Sequence, residues 1–109
     1  METRCVKIKL KPGSLERVRA WAAELNRRPD EVLATLRDEQ VIVEAVFLDS
    51  NSDGDYLIYF MKAVSFEHAY TVVQKSPHPI DAYHEQFKRD TWDGSKVLET
   101  LIDFDRIES

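Results

Sequence analysis

One cysteine, three glycines and four prolines among 109 residues leave little room for several structural devices. Cys5 has no partner within the chain, so no disulfide can staple the fold, and no CxxC pair exists for zinc or redox chemistry. Apolar runs never approach the roughly 20 residues that span a bilayer. The opening stretch METRCVKIKLKPG alternates charge with apolarity where a signal peptide needs an apolar core. A membrane is thereby excluded as a partner, and a cytoplasmic location is expected. Basic residues are outnumbered, 15 against 20 acidic ones, and a formal charge of −5 has the wrong sign for a phosphate backbone, which excludes nucleic acid. No repeat, linker or low-complexity segment interrupts the chain.

What the chain does have is a hydrophobic content of 43% at single-domain length, so residues 1–109 are expected to form one domain held by packing alone. Residues 4–10 place Val6, Ile8 and Leu10 on one face and Cys5, Lys7 and Lys9 on the other, the period of a strand. Pro12-Gly13 ends it. Ser14 is positioned to cap a helix whose Leu15, Val18, Ala22 and Leu25 recur at helical spacing to about Arg27. Pro29 restarts the helix with Val32, Leu33 and Leu36 inward.

Residues 41–48, VIVEAVFL, are apolar at odd and even positions alike, the mark of a strand covered on both faces, with Glu44 the lone exception. DSNSDGD, residues 49–55, reads as a long acidic hairpin loop leading into YLIYFMKA, again apolar on both sides. Ser65 begins a helix stopped by Ser76-Pro77, and a further helix starts at Pro79 and runs to about Thr91 with Ile80, Tyr83 and Phe87 on one side. VLETLIDF, residues 97–104, alternates and reads as the last strand.

The order of strand, helix, strand, strand, helix, strand is the split βαβ arrangement: a ferredoxin-like α+β fold whose four-stranded antiparallel sheet carries its helices on one face. Helices cover one side only, yet the hairpin strands are apolar on both. With no residues left to cover the other side, the economical cover is a second copy of the chain, giving a homodimer; a different partner protein is the alternative.

Chemistry-bearing residues are few. Asp49, Asn51, Asp53 and Gly54 match the opening of a calcium loop, but Phe60 stands where that loop needs a bidentate Glu, and a hairpin turn chooses the same residues. His84 falls on the apolar stripe of its helix, and Asp81, three residues earlier, is placed to hold one imidazole nitrogen and free the other for acid-base work. The bland alternative is a histidine satisfied at the edge of the core. His78 closes the loop before Pro79, and its spacing from Asp81 and His84 does not bring all three to one metal ion. Glu44, amid apolar neighbours, must pair with a cation such as Arg4, line a polar cavity or titrate upward. Tyr56, Tyr59, Trp21 and Trp92 either wall a pocket or fill the core. Cys5 has no base nearby in sequence and reads as structural.

The runs K-I-K-L-K-P-G-S at 7–14, D-G-D-Y-L-I-Y at 53–59 and H-P-I-D-A-Y-H-E-Q-F-K-R-D-T-W at 78–92 resemble a family of uncharacterised bacterial proteins. That family looks like part of the dimeric α/β-barrel superfamily, alongside antibiotic-biosynthesis monooxygenase-like and stress-responsive barrel domains. The resemblance covers nearly the whole chain and implies two sheets packed face to face across a two-fold axis. It implies no activity, because that superfamily hosts oxygenases, haem-handling enzymes, mutarotases and proteins without known chemistry. The leading expectation is a homodimer with a small-molecule cavity between sheet and helices. Glu44, Tyr59, His78 and Trp92 would contact the ligand, His84 and Asp81 would carry any catalysis, and no motif calls for a cofactor or a metal. The rival expectation is a non-catalytic regulatory or interaction module.

Overall fold

Alternation along the first strand builds β1 (Glu2–Leu10), and a computed structural model describing residues 1–107 places it inside the sheet, with a strand on each side. Helices α1 (Leu15–Arg27) and α2 (Pro29–Glu39) follow, divided by the proline that restarts the helix at its first turn. Gln40 ends α2 in the left-handed region at φ 58°, the backbone turn that lets the chain reverse into β2 (Val41–Asn51). A tight hairpin leads to β3 (Gly54–Ala63), then come α3 (Phe66–Gln74), α4 (Pro79–Thr91) and β4 (Trp92–Val97). The sheet is antiparallel throughout, in the order β2-β3-β1-β4. The architecture is α+β, with four helices among the described residues. Among the described residues no helix is long and apolar enough to cross a membrane.

Three local expectations are corrected. The last strand is Trp92–Val97, not residues 97–104. Lys11 donates its backbone N–H to the Thr91 carbonyl at 2.8 Å and Trp92 sits opposite Leu10, so α4 delivers the chain straight to the free edge of β1. Pairing is forced there although Asp93, Gly94 and Ser95 are poor strand formers; tertiary placement overrides propensity. The hairpin loop is also shorter than DSNSDGD: strand pairing runs to Asn51 and Gly54, and Asn51 Oδ1 accepts from the Asp53 N–H at 2.8 Å, an Asx turn. Finally, Ser14 precedes α1 without a side-chain capping bond, whereas Ser65 does cap α3, its Oγ accepting from the His68 N–H at 3.2 Å.

Register decides what each face carries. Val6, Tyr59 and Val46 lie opposite one another across β1, β3 and β2, as do Arg4, Met61 and Glu44, and these are the side chains that meet all four helices. Ile8, Leu10, Val18, Trp21, Leu57, Tyr59 and Phe87 form the core, with Trp21 stacked on Phe87 at a centroid distance of 4.4 Å. Truncating the fully buried Phe87 to Ala would cost about 3–5 kcal/mol. On the other face stand Cys5, Phe60 and Ala45, then Lys7, Ile58 and Phe47. No helix covers them. Residues after β4 cross one corner of that face, where the buried Lys62 Nζ donates to Thr3 Oγ1 at 2.9 Å, Asp103 Oδ1 at 2.6 Å and Asp105 Oδ2 at 2.8 Å.

Candidate functional site

Between the sheet and the helices lies a cavity of about 700 Å³, within the range of sites that take small organic molecules. Every helix contributes to its wall, and so do all four strands. The apolar lining follows from the sequence period: Val6 and Ile8 of β1, Val46 of β2, Met61 of β3 and the inward stripe of α2. Two groups of polar side chains break that lining, one aromatic and one acidic.

The aromatic group gathers around His84, where Trp21 donates its indole N–H to Nδ1 at 3.1 Å and the two rings stack at 5.6 Å. An indole only donates, so Nδ1 must be unprotonated, and the neutral ring carries its proton on Nε2. Burial, with some help from the nearby Lys88 ammonium and against the Glu85 carboxylate, depresses the His84 pKa from 6.5 to about 4. His84 is therefore a neutral hydrogen-bond donor at physiological pH. Tyr59 and Trp92 stand 6.3 Å and 6.5 Å from its ring and meet each other edge to face at 5.6 Å. Tyr59 Oη and Trp92 Nε1 are both buried, and neither has a hydrogen-bond partner among the described residues.

The acidic group consists of Glu39 at the end of α2, Glu44 on β2 and Asp81 in the first turn of α4. Burial, then repulsion from Asp81, Glu44 and Asp38, lifts the Glu39 pKa from 4.5 to about 7, opposed only weakly by His78. Glu44 is raised for the same reasons, burial first and Asp81 second, with Lys88 opposing. Water still reaches Glu44 through the cavity, but protein encloses the carboxylate on most sides, which accounts for its shift. Glu44 and Asp81 also share the cavity with Tyr59, whose hydroxyl is held well above its ordinary pKa by burial and by Glu44.

Of the six residues singled out in the sequence, Glu44, Tyr59, Asp81, His84 and Trp92 line this one cavity. The expected Asp81–His84 pair is not formed. Ser76 Oγ donates to Asp81 Oδ2 at 2.5 Å, while the His84 ring is held through Nδ1 by Trp21. The reason is helical geometry: Asp81 sits in the first turn, where the chain entering α4 brings Ser76 to it first. His78 lies outside the cavity, its Nε2 paired with Asp38 Oδ2 at 2.7 Å beside a smaller neighbouring cleft. Glu44 does not pair with Arg4, which instead donates to Tyr70 Oη at 2.7 Å and stacks over Phe66 at 4.5 Å. Glu39 was missed, though it extends the stripe of Val32 and Leu36 by one helical step. Nothing in the sequence announces the Trp21–His84 bond, which joins two different helices. No cluster of three or more His, Cys, Asp or Glu suited to a metal ion occurs among the described residues.

Fold and site together define a small α+β domain with a polar-spotted apolar cavity under its antiparallel sheet. The chain belongs to a family of unknown function, DUF6176, which matches residues 1–109. No curated protein matches it.

Proposed function

We propose that the protein is a homodimer that binds a small organic molecule in the cavity between sheet and helices. One observation carries this reading: Tyr59 Oη and Trp92 Nε1 are buried without partners beside an apolar cavity of about 700 Å³. An unsatisfied buried polar group costs about 1–3 kcal/mol, and a ligand that reaches both groups, after the side-chain shift that opens these covered atoms to the cavity, would recover that cost. In this reading His84 adds a third donor through its Nε2–H, so that it orients or polarises a ligand oxygen and does not serve as a base. Asp81 acts on the ligand directly, independently of His84, and His78 takes no part.

The dimer is supported by the strand order, which we read as the ferredoxin-like split βαβ arrangement, and by the sequence resemblance to dimeric α/β-barrel proteins. The sheet face away from the helices carries Phe60, Ile58 and Phe47, the last of these 61% exposed. A second copy would cover them.

The test is a thermal-shift screen of small organic molecules, followed by intrinsic tryptophan fluorescence, since Trp21 and Trp92 both line the cavity. A ligand should raise Tm with the logarithm of its concentration and lose most of its effect in a Tyr59→Phe, Trp92→Phe double variant. A screen without a ligand would favour the interaction-module reading.

A further inference from the structure

The acidic end of the cavity is out of electrical balance. Glu39, Glu44 and Asp81 reach it from three different elements, and the cations on the same walls are already engaged. Lys88 Nζ is bonded to Glu85 Oε1 at 3.1 Å and lies 4.9 Å above the Trp92 ring. Arg4 is held between Phe66 and Tyr70. His78 is taken by Asp38 in the adjoining cleft, and His84 is neutral. Neither Glu39 nor Glu44 enters an ion pair among the described residues. Carboxylates left this way in an apolar cavity keep a proton instead of a charge, which is the state of Glu39 below about pH 7.

A second, independent observation points to a ligand. Tyr59 is 3% exposed and its hydroxyl lacks a partner. Since Tyr59 pairs with Val46 across the β2–β3 ladder, Glu44 is its diagonal neighbour on the same face. The orphaned hydroxyl thus lies on the same stretch of cavity wall as the unpaired carboxylate, whose charge helps to raise its pKa. It can accept a hydrogen bond as well as give one, whereas Trp92 Nε1 can only give.

We infer that the cavity takes an amphipathic organic cation: a protonated amine among Glu39, Glu44 and Asp81, an apolar body along Val46 and Met61, and an oxygen acceptor toward Trp92. This rests on the reading of the cavity as a small-molecule site and names the chemistry it would recognise. An alkylammonium suits the acid end better than a metal ion. The three carboxylates do not group as metal ligands, whereas the field they share acts on an ammonium without requiring that all three touch it. In the empty cavity a proton on Glu39 takes the place of the amine. Binding of the cation between pH 4.5 and 7 therefore releases that proton.

Three probes of one chain length separate the possibilities: n-octylammonium, 1-octanol and octanoate, each titrated calorimetrically into the intact protein near neutral pH and again near pH 6 in two buffers of different ionisation enthalpy. The amine should bind about tenfold or more tightly than the alcohol, as expected for a hydrogen bond to a charged group. It should also release a proton in the more acidic titration. Glu39→Gln and Glu44→Gln should each remove most of that advantage and leave 1-octanol unchanged. Glu39→Gln, at a helix end, gives the same readout if Glu44→Gln folds poorly. Equal binding of amine and alcohol, or tighter binding of octanoate, would overturn the cation and leave the small-molecule cavity standing. No binding of any probe at millimolar concentration would overturn both.

Discussion

Trp21 and His84, on different helices, share a hydrogen bond of 3.1 Å and a ring stack of 5.6 Å, and this contact fixes the tautomer of the histidine that lines the cavity while burial keeps its ring neutral. Phe87 packs against the same pair, stacked on Trp21 at 4.4 Å and 6.2 Å from the His84 ring. The imidazole is therefore held by rigid neighbours and presents one polar atom, Nε2–H, away from them.

Stability should carry the signature of two opposed titrations. The folded His84 pKa of about 4 lies below its ordinary 6.5, so its contribution is complete above pH 6.5 and is lost as pH falls toward 4. At ~1.4 kcal/mol per pKa unit, it is worth on the order of 3–4 kcal/mol. Glu39 runs the other way: with its pKa raised from 4.5 to about 7, its contribution is complete below 4.5 and is lost as pH rises to 7. In urea melts across this range, His84→Gln should make stability fall more steeply with rising pH. Glu39→Gln should tilt the profile upward. Profiles parallel to that of the unsubstituted protein would mean that neither group is buried as described.

Tyr59→Phe should stabilise the ligand-free protein by about 1 kcal/mol, because it removes a buried hydroxyl without a partner and leaves the ring packed. Most core substitutions destabilise, so the sign alone is informative. A loss of stability would mean that the hydroxyl is satisfied, by water for instance, and does not await a ligand.

Sedimentation at micromolar concentration should show a dimer. Phe60→Lys, on the sheet face away from the helices, should raise the dissociation constant by about two to three orders of magnitude, the cost of an uncompensated buried charge. Leu101 and Phe104 in the segment after β4 are 83% and 90% exposed, so Phe104→Ser should weaken the dimer as well. A well-behaved monomer would refute the face-to-face arrangement.

Lys62→Met should free residues 98–107. That segment is tied down through Asp103 and Asp105 on one ammonium and through the Leu98 N–H to the Cys5 carbonyl at 2.8 Å. Limited proteolysis should cut the variant within the segment several-fold faster than the parent, with little change in the core transition. Equal cutting rates would show that the ion pairs do not hold the segment.

Much of this was legible because proline and period carry the boundaries. Pro29 and Pro79 mark the first turns of α2 and α4, and two-sided apolarity marks β2 and β3. The last strand was not legible, because VLETLIDF alternates better than WDGSKV and only the open edge of β1 decides between them. Of the acidic group, Glu44 stood out against its apolar strand. Glu39 looked like any exposed helix-end carboxylate, and only the packing of α2 above β2 turns it into the cavity. Trp21 and Lys62 find their partners through tertiary structure alone: a second helix for one, a segment without regular structure for the other.

β1 is synthesised before both of its partner strands, and Val6 finds its partners in Tyr59 on one side and Val97 on the other. Until β3 has emerged the strand has no ladder to join, and until β4 docks it keeps an open edge. Nearly all of the sheet's pairing that involves β1 is of high contact order, so folding should be limited by the closure of long loops and not by the local hairpin. A chain halted before residue 92 would expose the β1 edge, and Val6, Ile8 and Leu10 with it, to other nascent copies.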